Sequence, residues 1–216
     1  MDIGLLTFVT VALLALAVHA TVRAVQKRGQ MGSTGRAWWA GILIVSVLVA
    51  VYFEVGHDRQ QRLATFAMSA VTDNPNAHAD CRRWSESFVS LGLYDGYVRQ
   101  DNPDIAMIAN GSCRALAAYA ASDKRHPSLD QIAAVHLIAH ETMHVNGYWA
   151  ESEAECRAAQ LNYLVAEKLG ATEAQARALQ RIYFAQIYPT LASDYIASAC
   201  QEGGALDIFP DRTEFP

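Results

Sequence analysis

Two stretches without a single Asp, Glu, Lys or Arg constrain the fold of this 216-residue chain more than any other feature. They cover residues 3–22 and 37–53, and each is close to the roughly 20 apolar residues that a helix needs to cross a bilayer. Lipid offers the backbone no hydrogen-bond partners, so such a stretch spans the membrane as a helix. The sequence therefore predicts a hairpin of two transmembrane helices, over residues 3–22 and about 37–55.

The loop between the two predicted spans, residues 23–36, is basic and holds no acidic residue. Its basic side chains are Arg23, Lys27, Arg28 and Arg36. Short loops rich in Lys and Arg stay in the cytoplasm, so we expect a multi-pass cell-membrane protein with the N-terminus and the C-terminal domain on the extracytoplasmic side. A cleaved signal peptide is the alternative for the first span, but the chain begins Met1-Asp2 without a basic start, which favours a retained helix.

Residues 57–216 form the predicted outer domain, with residues 1–56 as the hairpin. The chain carries a net charge of −5, and the hairpin contributes only Asp2 and Glu54 to its acids, so the outer domain is acidic. No broad positive field exists for nucleic acid, which excludes that class of partner.

An even number of cysteines in an extracytoplasmic domain predicts two disulfides in one of three connectivities, with free buried thiols as the alternative. The cysteines are Cys81, Cys113, Cys156 and Cys200.

The outer domain shows short strand patterns followed by helical ones, so the predicted fold class is α+β and mainly helical. The alternation and turn residues predict strands at Ser87–Leu91, Gly96–Arg99 and Ile105–Ala109. Helices are expected over about 113–121, 128–145, 150–169 and from residue 172 to before Pro189. Two capping boxes, Ser128 with Gln131 and Thr172 with Gln175, mark helix starts.

The motif that carries chemistry is His140-Glu141-Thr142-Met143-His144. Residues four apart on a helix share one face, so the imidazoles of His140 and His144 can share one metal ion. Glu141 is rotated by about 100° from His140 and would lie beside a metal-bound water, from which its carboxylate can take a proton. Zinc lowers the pKa of such a water to about 7.

A catalytic zinc needs a third protein ligand. On a continuous helix Glu151 would lie about 10 Å beyond His144, too far to share the ion, but the turn at Asn146-Gly147 allows the next helix to return. Glu155, one turn after Glu151, could fix the tautomer of a ligating histidine. Glu153 is the competing third ligand; it lies about 200° around the helix from Glu151, so only one of the two can face the metal.

Three further features have both a functional and a plain structural interpretation. His136 lies one turn before His140 and either lines the cleft or is a partly exposed helix residue. Tyr148 either donates a hydrogen bond to an oxyanion or packs on the turn. The strand Ile105–Ala109 is either an edge strand that pairs with an extended substrate or part of the core.

The segment from His140 to His144, followed by Glu151-Ser-Glu-Ala-Glu155-Cys156, resembles the gluzincin pattern of H-E-x-x-H and then E-x-x-x-D on a later helix. It is also similar to small membrane-anchored metallopeptidases of actinobacterial type. The resemblance covers about Leu129–Leu161, with Glu155 where gluzincins have Asp. It implies a zincin-like fold in which His140, His144 and Glu151 bind one Zn²⁺ ion and Glu141 is the general base.

We therefore expect a membrane-anchored zinc metallopeptidase that hydrolyses peptide bonds. Its expected partners are a peptide or protein substrate and the lipid bilayer; the sequence leaves the oligomeric state open. Two rival functions are kept: a non-catalytic, zinc-stabilised sensor or assembly domain in the membrane, and a zinc amidase acting on the cell wall.

Overall fold

A computed structural model describes residues 5–26, 33–83, 95–212 and 215. The strand predicted at Ser87–Leu91 lies outside these described residues. The chain divides into two compact units, Met1–Arg59 and Gln60–Pro216, where the sequence predicts a boundary after residue 56.

Two helices dominate the first unit: α1, Leu5–Gln26, and most of α2, Ser33–Met68, whose residues after Arg59 belong to the second unit. Among the described residues, one helical stretch, Gly41–Met68, is long and apolar enough to cross a membrane, whereas the apolar part of α1, Phe8–Ala20, is shorter. One candidate membrane helix is therefore present, and the two-span hairpin and its orientation stay predictions.

The second unit is a mixture of strands and helices in which helices predominate, as the sequence predicts. Its strands are β1, His78–Cys81; β2, Gly96–Arg99; and β3, Asn102–Ile108. Its helices are α3, Asn110–Ala121; α4, Leu129–Val145; α5, Glu151–Lys168; and α6, Glu173–Ile182. A π-helical turn, Tyr183–Ile187, and a 3₁₀ turn, Tyr188–Thr190, continue from α6.

The three described strands form one sheet in the order β1-β3-β2. β1 pairs with β3 in parallel, and β2 pairs with β3 antiparallel, with Gly96 opposite Ile108. β3 therefore has a partner on both sides, so the interpretation of Ile105–Ala109 as an edge strand is wrong. β1 was not predicted from the sequence, because its residues, His78-Ala79-Asp80-Cys81, include Ala and Asp, which are depleted in strands.

Helices α4 and α6 begin where local sequence signals place them, whereas α3 begins at Asn110, before its predicted start at residue 113, and α6 ends at Ile182, before the predicted end near Pro189. Both predicted capping boxes form: Ser128 and Gln131 bond to each other's backbone at the start of α4, and Thr172 and Gln175 do the same at α6. After α4, Gly147 has a φ of +92°, a left-handed conformation that glycine adopts without steric cost. This turn lets α5 pack back against α4.

Two disulfides fasten the helical layer to its neighbours. Cys81 of β1 bonds to Cys113 of α3 with a Cα separation of 6.1 Å, and Cys156 of α5 bonds to Cys200 near the C-terminus at 5.6 Å. Both separations are ordinary for disulfides. The structure thus selects one of the three connectivities that the sequence left open.

Candidate metal centre

One face of α4 carries three histidines, His136, His140 and His144, at successive turns of the helix. All three are buried, as is Glu141 between them. Burying polar side chains costs free energy unless they have hydrogen-bond or ion-pair partners. The groups around these histidines therefore decide what the site can do.

The turn at Gly147 brings the start of α5 back to the histidines. The backbone N–H of Tyr148 donates to the carbonyl of Met143 across this turn at 3.0 Å, and α5 begins directly afterwards at Glu151. Glu151 therefore lies opposite His140 and His144, seven positions along the chain from the second of them but in direct contact with both.

Three side-chain atoms converge at this point. The Nε2 atoms of His140 and His144 are 3.2 Å apart, and Oε2 of Glu151 lies 3.2 Å from the first and 3.3 Å from the second. A tetrahedral ion with metal–ligand bonds of 2.0–2.1 Å holds its ligand atoms about 3.3 Å apart. The three atoms therefore form one face of a tetrahedron of the size that such an ion requires, and these residues could hold a metal ion.

The outer nitrogens of both rings have partners that direct the inner ones at the convergence point. Nδ1 of His144 donates to the backbone carbonyl of Tyr148 at 2.7 Å. Nδ1 of His140 lies 3.0 Å from Oε2 of Glu155, which is an ion-pair distance. The orientation of the two groups does not meet hydrogen-bond geometry. With a proton on each Nδ1, both Nε2 atoms and the Glu151 oxygen present lone pairs to one another, and a positive charge between them, either a metal ion or a proton on one ring, relieves that repulsion.

The pKa shifts of His140 and Glu151 also favour a positive charge at this point. Burial by itself lowers the pKa of His140, but the hydrogen bond to Glu151 and the close carboxylate of Glu155 outweigh burial and raise the pKa to about 10. A proton on His140 then takes the place of the cation. The hydrogen bond with His140 also holds the pKa of Glu151 below its usual range, so this carboxylate is available as an anionic ligand.

Glu155 anchors a buried polar network behind His140. Its Oε2 accepts a hydrogen bond from Nε2 of His136 at 3.0 Å, and its Oε1 accepts a short hydrogen bond from the hydroxyl of Tyr183. Asn162 donates to Nδ1 of His136 at 3.3 Å. Although burial raises the pKa of Glu155, the neighbouring histidines His136 and His140 outweigh it and hold that pKa below its usual range. Glu155 is therefore an anion fixed against the ligand ring.

His136, His140 and Glu155 form a second group whose atoms lie close enough to hold an ion. Each member already has a partner in the network, however. The ring of His136 is also stacked on Tyr183, with centroids 3.6 Å apart and an angle of 10°. We therefore interpret this group as the support of the first cluster.

Glu141 lies beside the cluster with only 2% of its surface exposed. Its Oε2 has no hydrogen-bond partner among the described residues. Burial, opposed by the neighbouring His140, raises the pKa of Glu141 to about 7. A carboxylate with such a pKa can both accept and release a proton near neutral pH, which is the requirement for a general acid–base group.

Two cavities border Glu141. The larger, about 610 Å³, is lined by His136, His140, Glu155 and Tyr183 among others. The smaller, about 380 Å³, is lined by His144, Glu151 and several aromatic residues. Gly96, Glu141 and Tyr195 line both cavities, so Glu141 is accessible from two sides in spite of its burial.

Two sequence-predicted candidates lie away from the cluster. Glu153 forms an ion pair with Arg157 at 3.0 Å, so Glu151 and not Glu153 lies against the histidines. The ring of Tyr148 packs under the guanidinium of Arg157 at 4.0 Å, and Tyr148 is not among the described residues that line the two cavities. Its backbone carbonyl, not its hydroxyl, contributes to the site.

Four residues of the site were not predicted from the sequence: Gly96, Asn162, Tyr183 and Tyr195. Asn162 follows Glu155 by seven positions, which places both on one helix face, so a buried polar pair could have been inferred there. The other three come from segments far from α4 and α5 along the chain. No local pattern marks them, because tertiary packing alone brings them to the site.

Comparison with known proteins adds no relative to this picture. No protein-family model matches the chain, no curated protein is significantly similar to it, and no solved structure matches it. The chemistry of the site is therefore inferred from its own residues.

Proposed function

We propose that this chain is a zinc-dependent peptidase whose metal ligands are His140, His144 and Glu151. One observation carries the proposal: the three ligand atoms lie 3.2–3.3 Å from one another directly beside the buried carboxylate of Glu141. Two imidazoles and one carboxylate, with a fourth position left for water or substrate, are the ligand set of catalytic zinc sites in peptidases.

Zinc at this position would polarise the scissile carbonyl and lower the pKa of a bound water to about 7. Glu141 accepts the proton of the attacking water and passes it to the departing amine. Its Oε2, which has no other partner among the described residues, is the atom suited to this transfer. His140 and His144 hold their orientation through Glu155 and the Tyr148 carbonyl, so the ligand nitrogens need little rearrangement on binding.

The two cavities favour a polymeric substrate over a small one. Because they border Glu141 and share Gly96 and Tyr195 as walls, an extended chain could occupy both, with its reacting bond between them. A peptide offers side chains on both sides of the cleaved bond, which fits this arrangement.

The proposed location is the extracytoplasmic face of a membrane. The candidate span Gly41–Met68 and the shorter apolar part of α1 would form the anchor, and the basic loop between them would remain in the cytoplasm. The two disulfides agree with an oxidising surrounding for the second unit.

The decisive experiment compares the full-length chain with its Glu141→Gln variant in lipid nanodiscs. Bound metal is measured by elemental analysis, and hydrolysis is measured on a peptide library and on cell-wall muropeptides. We expect about one zinc per chain in both proteins and peptide hydrolysis by the wild type alone, abolished by chelator. Glu153→Gln is the matched control and should retain full activity.

Each other outcome of this experiment points to a different function. Hydrolysis by Glu141→Gln at the wild-type rate contradicts the mechanism, and cleavage of muropeptides without cleavage of peptides identifies the amidase. A folded chain without metal contradicts the whole proposal.

A non-catalytic, metal-stabilised module is the second candidate, and the depth of the site favours it. His140 is 5% exposed and Glu155 2%, and the network behind them resembles a structural support. This candidate predicts bound zinc and a strong loss of stability on chelation, but no turnover of any substrate.

A further inference from the structure

The smaller cavity beside the metal cluster has an aromatic wall. Tyr97 of β2, Trp149 of the turn between α4 and α5, and Tyr195 of the C-terminal segment all line it, together with His144 and Glu151. A group bound in this cavity would therefore lie next to both the metal ligands and the bond that Glu141 acts on.

Two of these aromatic rings are left open to solvent. Trp149 is 38% exposed and Tyr97 is 37% exposed, although the unit has a large buried core elsewhere. Trp149 is held in place by stacking on His144, with ring centroids 6.0 Å apart and an angle of 14°. Exposed aromatic side chains that surround a concave surface are typical of binding sites, because a bound ligand removes from water the apolar surface that folding leaves exposed.

The charged side chains among the described residues that line the two cavities have one sign. Carboxylates line both, namely Asp95, Asp130, Glu141, Glu151 and Glu155, whereas no Lys or Arg is among their described lining residues. One divalent ion would offset only part of this negative charge. An acidic substrate side chain would therefore be repelled, and an apolar one would gain contact with the rings.

We infer that the smaller cavity binds an aromatic or large aliphatic side chain of the substrate, on the residue next to the cleaved bond. This inference rests on the proposed function and names its substrate class: peptides with such a residue at that position, in preference to those with a small or acidic one. Tyr97, Trp149 and Tyr195 are the specificity-determining residues.

Binding is tested first, with the zinc-loaded, full-length Glu141→Gln variant in nanodiscs. The probes are alanine-rich peptides that differ only in one central residue, Phe, Leu, Ala or Asp, titrated by calorimetry. We expect the Phe and Leu peptides to bind at least tenfold more tightly than the Ala peptide, and the Asp peptide to bind most weakly.

Turnover is tested next, with the wild-type chain and an equimolar mixture of the same peptides, whose cleavage sites are mapped by mass spectrometry. Tyr97→Ala should reduce the preference for Phe over Ala about tenfold, and Tyr97→Phe should restore it because the ring remains. Tyr97 is the preferred test position, since it does not contact a metal ligand. Phe66→Ala, which removes an exposed ring outside the cavity, is the control and should not change the preference.

The outcomes separate this inference from the function on which it rests. Phe-selective binding without hydrolysis supports the cavity and overturns the peptidase proposal. If the Phe, Leu, Ala and Asp peptides are hydrolysed at equal rates, and Tyr97→Ala does not change those rates, the inference is overturned and the peptidase proposal still stands. If the peptides are neither bound nor hydrolysed, both the inference and the peptidase proposal are overturned.

Discussion

Gly96 lies so close to Glu141 that a β-carbon on this glycine would be 2.5 Å from Oε1 of the glutamate. The side chain of Glu141 therefore occupies the space that any other residue at the start of β2 would fill. The backbone of β2 at Gly96 therefore limits where the carboxylate of Glu141, the proposed base, can lie.

Gly96→Ala should inactivate the protein without emptying the metal site. The added methyl group displaces the Glu141 carboxylate, and a misplacement of about 1 Å can lower a rate about 100-fold. Peptide hydrolysis and zinc content are measured on the same preparation. The control is Gly56→Ala, whose β-carbon meets no atom within 4 Å. Unchanged hydrolysis by Gly96→Ala would show that Glu141 is not held by this contact.

Metal removal should destabilise the folded chain. An ion that binds only the folded state at 100 times its Kd stabilises it by about 2.7 kcal/mol, which corresponds to roughly 5–10 °C in the midpoint of thermal unfolding for a domain of this size. Differential scanning calorimetry with and without chelator measures the shift. His140→Ala should unfold at a lower temperature and show no response to chelator; a chelator-insensitive wild type contradicts the assignment of the ligands.

Glu151 and Glu153 should respond very differently to the same substitution. Glu151→Gln removes the anionic ligand, so metal should be lost in equilibrium dialysis. Glu153→Gln breaks only the ion pair with Arg157 on the helix surface, an interaction worth about 0.3–0.5 kcal/mol, and should retain the metal. The reverse result would place the third ligand at Glu153.

Tyr183→Phe should weaken metal binding through Glu155. The variant keeps the ring that stacks on His136 but removes the hydroxyl that donates to Glu155, and loss of such a supporting hydrogen bond typically lowers metal affinity 10–100-fold. Affinity is measured by competition with a chromophoric chelator. Tyr188→Phe is the control, because its hydroxyl instead accepts from the backbone of Ala197. A merely structural role for Tyr183 would change thermal stability and leave the affinity unaltered.

The helices and the two histidines were accessible from the sequence because their signals are local. A capping box lies within four residues, the H-E-x-x-H spacing reflects one helical turn, and a glycine after α4 permits the reversal that returns Glu151. The sheet order and the cavity walls were not accessible in this way. β3 lies in the centre because β1 and β2 approach it from different parts of the chain, and Tyr183 and Tyr195 reach the site only after α6 and the C-terminal segment have packed.

The position of Cys156 links the site to the redox state of its surroundings. Cys156 directly follows Glu155, and its bond to Cys200 ties that turn of α5 to the segment that carries Tyr195. In a reducing compartment this cross-link is absent, and the segment that carries Tyr195 is then joined to α5 only through the intervening main chain. A freshly synthesised chain would therefore acquire this cross-link, and with it the final position of Tyr195, only once the second unit lies in an oxidising compartment.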